Sequence, residues 1–432
     1  MTSLSKETKV LRADGDAYLD PWMTPANAKV QEMVTEALVN LDAYENHNGV
    51  RKRNRKAADQ AILEAAVTSL ICAVTVHHLV GRDGGLKVTR SNRKLSRSDR
   101  YKTPLNTKKL PDFLDALSAP EIPWLEQKIG VQTQASNAPT TTIYPGSRLL
   151  KRIAELGVTR DDVENGSGGE LIELRREKSK DLLGEGNLLD YEDTPQTIAW
   201  RAQLKAINEH LKTADVRLEG AIGADVWDRR LRRVFNNGRF DEGGRLYGGF
   251  WQPMSKQERF RHIRIEGERV VELDYGQVAT RILYGRKGFE PPEGDLYEIE
   301  GKTYPREGMK KVLNALLYSS TPLGGWPDGA RDPFVDSKTN EAPKFSEVKQ
   351  DLLDKHHLIK DGFETGDGMR IMFTESEILL KVLDQLKSKN IVGLPIHDAL
   401  LVGASTVDKA KSIMLSSFKE ISGITGKVSI ER

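Results

Sequence analysis

Two short apolar runs, far apart in the chain, each lead into an aspartate. The first covers residues 270–273 and is followed by Asp274, and the second covers residues 393–396 and is followed by His397 and Asp398. Both runs have the composition of β-strands. Two aspartates at strand ends can share a pair of divalent ions, which stabilise the attacking and leaving oxygens of an in-line phosphoryl transfer. The fold must therefore bring these two strand ends together if they form one site.

Between these runs lies a segment with helical spacing. Four of its side chains follow one another at intervals of four residues: Arg306, Lys310, Asn314 and Tyr318. At this spacing they lie on one helix face, about 6 Å apart along the axis, and Pro305 suits the first turn because no backbone donor is needed there. We expect a triphosphate to lie along this face. Each feature alone also has an ordinary interpretation, because Arg-Lys faces are usually solvated and aspartates at strand ends are usually turn formers.

The order and spacing of these segments resemble those of family A DNA polymerases. Asp274-Tyr275-Gly276-Gln277 is similar to the first palm motif of that family, Asp-Tyr-Ser-Gln, and His397-Asp398 is similar to its last palm motif. The helical segment reproduces the family's fingers helix, in which a Lys follows an Arg by four residues and a Tyr follows the Lys by eight: Arg306, Lys310 and Tyr318. Single-subunit phage-type RNA polymerases resemble the chain in the same segments.

Further matches extend the resemblance to about residues 221–432. Gly244-Arg245-Leu246, with Gln252 downstream, resembles the segment that contacts the minor groove of the primer-template. Tyr297 stands where the family has a histidine near the incoming phosphates. The remaining matches are a strand before the first aspartate, a return strand after the second and a closing helix: 261–265, 400–402 and 407–418.

The resemblance implies an α+β right-hand polymerase fold with a small antiparallel palm sheet, helical fingers and a mainly helical N-terminal region. A helix that begins at Phe373, with Thr374 as its cap, is expected to lead into the hairpin of Asp398. A further role near the metal ions stays open for Glu375 or Glu377. The expected parts are a basic helical region, a thumb-like helical region with a helix over 195–212, and a palm with inserted fingers: 1–147, 148–220, and 221–432 with the fingers at about 286–375.

The same resemblance implies template-directed nucleotidyl transfer, in which a primer 3′-hydroxyl attacks the α-phosphate of a nucleoside triphosphate and pyrophosphate leaves. Asp274 and Asp398 would hold two Mg²⁺ ions, with Mn²⁺ as a substitute. Arg306 and Lys310 would bind the β- and γ-phosphates, and Lys310 would donate a proton to pyrophosphate. The other implied nucleotide contacts are Gln277, Ala279, Tyr297, Asn314 and Tyr318, and the implied primer-template contacts are Arg245, Gln252 and His397.

Three positions depart from the DNA polymerase pattern. Ala279 stands where those enzymes carry a glutamate that blocks a ribonucleotide 2′-hydroxyl, and Ala399 replaces the glutamate that follows the His-Asp pair. Asn314 replaces an aromatic residue. Ala279 and Ala399 favour tolerance of ribonucleotides, so a primase or RNA polymerase is the alternative to a DNA polymerase. A different side chain, Tyr297 or Tyr318, is the competing candidate for sugar selection.

Composition is typical of a water-soluble enzyme. The chain has 432 residues, of which 30% are charged, and its mean hydropathy is −0.51. From these values we do not expect a membrane protein. No N-terminal apolar run resembles a signal peptide, and the single cysteine, Cys72, cannot form an internal disulfide, so we expect a reducing cytoplasm and a buried thiol.

Positive charge is concentrated in the N-terminal part. A basic block, 51–56, precedes an apolar helical stretch, and ten Lys or Arg residues between Arg82 and Lys109 face only Asp83 and Asp99. We expect contacts with the phosphate backbone of a template and its DNA or RNA primer, made in the block by Arg51, Arg53 and Arg55. Since Tyr101 is the one aromatic residue in the second segment, base stacking is not expected there.

The rest of the N-terminal part predicts helices around Val30–Leu41, Ile62–Leu79 and Leu149–Leu156, a polar arm at 1–24 and a linker at 133–147. Asp14, Asp16 and Asp20 lie in the arm, where we expect solvated carboxylates and no proofreading exonuclease site. Outside the polymerase reaction, the alternative is a DNA-binding replication protein with an inactive palm. Intact Asp274 and Asp398 argue against it.

Overall fold

The computed structural model describes residues 15–51, 53–130, 140–177, 188–220 and 223–431. The chain divides into two compact units. The first contains the described residues of Met1–Glu170 together with Leu218–Asp228 and Pro253–Lys256, and the second contains those of Leu171–Arg217, Arg229–Gln252 and Gln257–Arg432. The three-part division expected from the sequence stays a prediction.

The first unit combines helices with two small sheets. Its helices are α1 (Ala28–His47), α2 (Ala57–Leu79), α3 (Asn92–Leu95), α4 (Leu110–Leu117) and α5 (Ser147–Leu156). Its strands are β1 (Ala17–Tyr18), β2 (Met23–Pro25), β3 (Leu86–Val88), β4 (Leu125–Lys128), β5 (Thr141–Pro145) and β6 (Val163–Asn165), in the sheet orders β1-β3-β5-β4 and β2-β6.

Helix α2 forms the centre of the first unit's core. Its residues from Leu63 onward are mostly buried, including Cys72, whose thiol has a pKa raised to about 12 by burial. The expected buried thiol is therefore confirmed. Among the described residues, α2 is the one helix long and apolar enough to span a membrane, but 67% of its most apolar window is buried inside the protein, as in an ordinary core helix.

The later part of the chain contains the larger sheet. Its strands are β7 (Ile172–Leu174), β8 (Val216–Leu218), β9 (Arg232–Phe235), β10 (Gly243–Tyr247), β11 (Ile263–Ile265), β12 (Glu268–Tyr275), β13 (Gly393–Ile396), β14 (Ala399–Gly403) and β15 (Val428–Glu431). One sheet has the order β13-β14-β12-β11-β8, with β15 also paired to β12, and a second has the order β10-β9-β7. The protein is thus a mixed helical and β structure with small, separate sheets. The right-hand arrangement stays a prediction.

Seven α-helices accompany these sheets in the described residues. They are α6 (Pro195–Thr213), α7 (Lys256–His262), α8 (Val278–Lys287), α9 (Arg306–Tyr318), α10 (Phe345–Lys355), α11 (Gly368–Ser388) and α12 (Val407–Ser422). Of these, α6, α11 and α12 contact strands directly. The long helix α11 contacts α12, β10 and α8, so it joins the two sheets of this unit. The expected helix over 195–212 is confirmed by α6.

Two expectations about local structure are wrong. Helix α11 begins at Gly368, with Asp367 at the N-cap position, so Thr374 lies inside the helix and its hydroxyl donates to the Arg370 carbonyl instead of capping the helix. The described part of the expected linker at 133–147 contains β5, because its threonines, Ile143 and Tyr144 favour a pleated strand. Residues 133–139 lie outside the described residues.

The expected arm at 1–24 is only partly described. Residues 1–14, including Asp14, lie outside the described residues, but β1 pairs with β3 and β2 pairs with β6. Asp16 accepts a hydrogen bond from the Gly85 amide and Asp20 accepts one from the Trp22 amide. These two carboxylates therefore have local structural partners.

Candidate nucleotidyl-transfer site

The two aspartates meet at one end of the larger sheet. Strand β12 pairs antiparallel with β14 so that Asp274 lies opposite Ala399, and β14 pairs with β13 so that Ile396 also lies opposite Ala399. His397 and Asp398 therefore form the turn of the β13–β14 hairpin. His397 has the left-handed φ of 54° that this tight turn requires. The hairpin places Asp398 next to the strand end that carries Asp274, and both side chains are partly exposed.

Strand burial explains why these ends are fixed. Leu273 in β12 and Leu400, Leu401 and Val402 in β14 are fully buried. Because consecutive strand residues point to opposite faces, burial of three in a row means that both faces of β14 are covered, and a change of register would separate each side chain from the residues that bury it. The position of Asp398 relative to Asp274 follows from that register.

Tyr297 and Glu375 lie within the electrostatic reach of both aspartates. The pKa of Glu375 is raised to about 7, mainly by burial and also by Asp398 and Asp274, against the opposing effect of Arg245. The pKa of Tyr297 is raised to about 12, mainly by burial and also by Asp295, Asp398 and Asp274, against the opposing effect of Arg306. Both Glu375 and Tyr297 therefore interact electrostatically with Asp274 and with Asp398.

Arg245 is held by a buried carboxylate beside the aspartates. Its Nε and Nη2 atoms both lie 2.8 Å from Oε1 of Glu375, whose side chain is 3% exposed. Although burial desolvates Arg245, Glu375, Tyr318 and Asp398 raise the pKa of its guanidinium group. Arg245 is therefore a fixed cation at the edge of the site, and Glu375 is the residue that fixes it.

Helix α9 presents the expected polar face. Its buried residues are Met309, Val312, Leu313, Leu316 and Leu317, whereas Arg306, Lys310 and Tyr318 are exposed and Asn314 is partly exposed. Within the described residues Lys310 makes no ion pair, so its charge is available to a ligand. The Arg306 guanidinium lies 5.0 Å from the ring centroid of Tyr297, which places this end of α9 beside the environment of the aspartates.

The other end of the α9 face is also close to the site. Tyr318 is 36% exposed, and its pKa is raised to about 12 by burial, then by Glu375 and Asp398, against the opposing effect of Arg245. Both ends of the face are thus linked to the aspartates. The arrangement offers two acidic side chains at one end of a sheet and two cations on a helix, of which Arg306 pairs with Asp295 and Lys310 has no ion pair in the described residues.

Asp295, for which the sequence predicted no role, connects Gln277, Tyr297 and Arg306. Its Oδ1 accepts hydrogen bonds from the Gln277 side chain and the Tyr297 amide, at 2.5 and 2.9 Å, and its Oδ2 accepts one from Arg306 Nε at 2.5 Å. Gln277 has a left-handed φ of 60° and precedes α8, so Ala279 lies in the first turn of that helix and is partly exposed. The available signal for Asp295 was its position two residues before Tyr297, which the sequence had indicated as a nucleotide contact.

Gln252 has internal partners for its amide group. Its Oε1 accepts from the Gly248 amide, and its Nε2 donates to the Leu246 and Pro395 carbonyls. Trp251 Nε1 donates to the same Pro395 carbonyl at 2.8 Å. Residues 251 and 252 therefore tie β10 to the hairpin that carries Asp398, and the expected minor-groove contact of Gln252 stays a prediction.

His397 is exposed at the tip of the hairpin. Its ring meets Tyr247 edge-on, with the centroids 6.1 Å apart. Desolvation and Arg245 lower its pKa, with a smaller opposing effect of Asp398. The lowered pKa favours the neutral imidazole, which has one donor and one acceptor nitrogen at the edge of the site.

In the basic block of the first unit, residues 51–56, we expect arginines that contact phosphates, but two of them pair with carboxylates instead. Arg51 and Arg55 each contact both Asp42 and Glu45 of α1, and their side chains are only 15% and 12% exposed. Arg53 is exposed. Two of the three arginines expected to contact nucleic acid are thus bound to carboxylates of the same unit.

The two carboxylates suit a hard divalent ion whose coordination is completed by a substrate. Within the described residues, no group of three or more His, Cys, Asp or Glu side chains is arranged to hold a metal ion. Mg²⁺, however, commonly binds one or two protein carboxylates together with substrate phosphates and water. Asp274 and Asp398 fit that pattern.

Comparisons with known proteins add little. No protein-family model matches the chain, and no curated protein matches it. One similar solved structure is the POL domain of Pol1 from M. smegmatis in complex with DNA primer-template and dNTP, at 12% sequence identity and a TM-score of 0.32. The match covers 96% of this chain and 66% of that one. A TM-score this low does not establish a shared fold, so the functional proposal rests on the side chains described above.

Proposed function

We propose that the chain is a template-directed nucleotidyltransferase, a primer-extending DNA polymerase of family A type with relaxed sugar selection. The observation that carries the proposal is the meeting of Asp274 and Asp398 at one sheet end, beside a helix face with Arg306 and Lys310. Metal-binding carboxylates opposite phosphate-binding cations are the parts that phosphoryl transfer requires, since catalysis consists mainly of positioning and charge stabilisation.

Asp274 and Asp398 are the residues that would hold Mg²⁺. Bound Mg²⁺ supplies stabilisation of the attacking and leaving oxygens. The buried neighbours of the two carboxylates would fix their positions, because a change of register between β12 and β14 would break the packing on both faces of the sheet. In this proposal the 3′-hydroxyl oxygen of a primer bonds to the α-phosphorus of a nucleoside triphosphate, the hydroxyl proton is lost and pyrophosphate leaves.

The α9 face would bind the triphosphate. Lys310 has no competing ion pair in the described residues, so it is suited to contact the phosphates and to donate a proton to the departing pyrophosphate. Arg306 is already oriented by Asp295 and by the ring of Tyr297. Binding of a phosphate would add a second anion to a guanidinium that has several donors.

Arg245, Tyr318 and His397 would surround the primer end and the nascent base pair. Arg245 is fixed by Glu375, which leaves its remaining donor edge for a groove atom of the nucleic acid. Tyr318 stands at the C-terminal end of the α9 face, where Asp398 is one of the groups that raise its pKa. Template and primer DNA, or an RNA primer, are the proposed partners, together with nucleoside triphosphates.

RNA synthesis is the second candidate, and it rests on two small side chains. Ala279, in the first turn of α8, is partly exposed, and Ala399 lies directly opposite Asp274 in the sheet. Neither has the bulk to meet a 2′-hydroxyl group. The third candidate, an inactive DNA-binding protein, is disfavoured because such a protein has no chemical need for Asp274, Asp398, Arg306 and Lys310 together.

One incorporation experiment separates these candidates. The full chain is incubated with Mg²⁺ and either a primed or an unprimed template, and dNTPs and NTPs are offered separately. Extension of the primer with dNTPs supports the proposal, products from the unprimed template with NTPs support a primase, and the absence of any product contradicts both.

Ala279→Glu sharpens the choice of sugar. If Ala279 leaves the sugar pocket open, the unmodified protein should use NTPs within about tenfold of dNTPs, a difference of about 1.4 kcal/mol. The glutamate should then reduce NTP use far more than dNTP use. Strong dNTP preference in the unmodified protein, unaltered by the substitution, would assign sugar selection to another side chain.

A further inference from the structure

An apolar groove in the first unit is lined by Trp22, an aromatic residue that lies far from the basic segment 82–109 in the sequence. Two adjoining cavities of about 350 and 320 Å³ share Trp22, Ala61, Ala65 and Pro104 in their walls. Each volume is within the range of about 300–1,000 Å³ that is usual for ligand pockets. The groove lies entirely within the first unit.

The walls are arranged around the indole of Trp22. Gly168 packs against this ring so closely that a Cβ atom there would lie 2.0 Å from it, and Gly166 donates its amide to the Trp22 carbonyl. The ring is therefore held in place, yet it is partly exposed and lines the groove. On α2, Ala61, Ile62 and Ala65 form an exposed apolar wall, and Ile62 is 41% exposed.

Positive charge adjoins these apolar walls. Lys102 lines the groove, and Asn106, another lining residue, donates to the Lys94 carbonyl at the end of α3. Lys94, Lys102 and the neighbouring Arg93 are exposed and make no ion pair within the described residues. The acidic residue Glu64 also lines the groove, where it accepts a hydrogen bond from Gln60.

We propose that this groove binds a single-stranded nucleic-acid segment, with one base stacked on Trp22 and the adjacent phosphates beside Lys102, Lys94 and Arg93. Aromatic platforms bordered by cations bind single strands irrespective of sequence, because every base has a stacking face. In a duplex those faces are already covered by neighbouring bases. The inference deepens the proposed polymerase function, on which its assignment to a template strand rests.

The test is equilibrium binding of the full chain to a short labelled oligothymidylate and to a duplex, without nucleoside triphosphate or divalent ion, at several salt concentrations. Trp22→Ala should weaken single-strand binding by about five- to a hundredfold, as expected for the loss of one stacked base. Its salt dependence should be unchanged, because stacking releases no counterions. Trp22→Phe should retain most of the affinity, and duplex binding should not respond to either substitution.

Lys102→Gln should give the complementary result. It should lower the slope of log affinity against log salt by about 0.7, the value for one phosphate contact to a single strand. Trp227→Ala is the matched control, since Trp227 is a 40%-exposed tryptophan of the same unit outside the groove. It should leave single-strand binding unchanged.

Ile62→Asp protects the test against misfolding of Trp22→Ala. Ile62 is exposed, so an aspartate there places a negative charge in the groove without opening the core, and it should weaken single-strand binding. The proposal is overturned if folded Trp22→Ala and Ile62→Asp bind the oligonucleotide like the unmodified protein. Equal losses for single strand and duplex would also overturn it, because they would assign binding to the basic surface alone.

Failure of this proposal is distinguishable from failure of the proposed function. Because the binding assay contains no substrate or metal, a catalytically inactive protein with Trp22-dependent binding would contradict the polymerase assignment alone. An active polymerase whose binding ignores Trp22 and Ile62 would contradict the groove alone.

Discussion

The α9 face and the basic block of the first unit are both clusters of positive charge, but their charges are used differently. Lys310 on α9 is exposed and unpaired within the described residues, while Arg306 has one carboxylate partner, Asp295. In the basic block, Arg51 and Arg55 are mostly buried and share Asp42 and Glu45. A dense run of arginines is therefore weaker evidence for a phosphate site than two cations spaced by one helical turn.

A second contrast lies in the buried glutamates. Glu45 has two arginines and no carboxylate of the site beside it, whereas Glu375 has Arg245 on one side and feels Asp274 and Asp398 on the other. The first arrangement neutralises the carboxylate. The second places like charges near the carboxylate, which makes the protonation state of Glu375 sensitive to its surroundings near neutral pH.

The largest expected effect tests whether the sheet end that carries Asp274 and Asp398 is the reactive site. Asp274→Asn and Asp398→Asn should each reduce nucleotide incorporation by about a thousandfold or more, because each removes a metal-binding charge. Template binding, measured separately, should be nearly unchanged. Robust extension by either variant would remove the basis for the proposed site.

The next effect tests whether the free charge on α9 matters. Lys310→Ala should lower kcat/KM for nucleoside triphosphates by about a hundredfold, with losses in both KM and kcat, since Lys310 is proposed to bind phosphate and donate a proton. Lys311→Ala is the matched control, because the neighbouring Lys311 donates to the Gly329 carbonyl. Equal losses in the two variants would mean that α9 acts through its general charge or stability.

Glu375 predicts a pH dependence that the basic block should not share. Its pKa of about 7 means that the carboxylate loses its charge, and its ion pair with Arg245, as the pH falls below about 7. If Arg245 positions the primer-template, kcat/KM should fall about tenfold toward pH 6, as expected for one titrating group. Glu375→Gln should abolish this part of the pH profile.

The pH dependence that Glu375 gives to stability has the opposite sign to the one expected for activity. Because the folded pKa of Glu375 is raised from 4.5, the native state binds more protons than the unfolded state between about pH 4.5 and 7. Its contribution to stability should therefore decrease as the pH rises through this window. Thermal unfolding of the unmodified protein and Glu375→Gln across that range measures the difference, and parallel curves would contradict the assignment.

The sequence predicted local helices and strands better than the contacts between residues far apart in the chain. The strand runs, the α9 face and helix α6 follow from hydrophobic periodicity and spacing, which act over a few residues. Asp295, Glu375 and Trp22 owe their surroundings to residues far away in the chain, such as Arg306, Arg245 and Gly168. Periodicity carries no information about those contacts. The same limit explains why Arg51 and Arg55 read as free charges in the sequence.

The smallest expected effect on nucleic-acid binding concerns those two arginines. Arg51→Gln with Arg55→Gln should leave the salt dependence of DNA binding nearly unchanged, because their guanidinium groups already contact Asp42 and Glu45. The same pair should lower the free energy of unfolding by about 3–5 kcal/mol, since Glu45 would be left buried without an opposite charge. Arg53→Gln supplies the contrast: as an exposed residue it should barely alter stability, and it should lower the salt slope by about 0.9 if it contacts a duplex phosphate. A reduced slope in the double variant, with unchanged stability, would show that the two arginines exchange their carboxylates for phosphates and that the block is a binding surface after all.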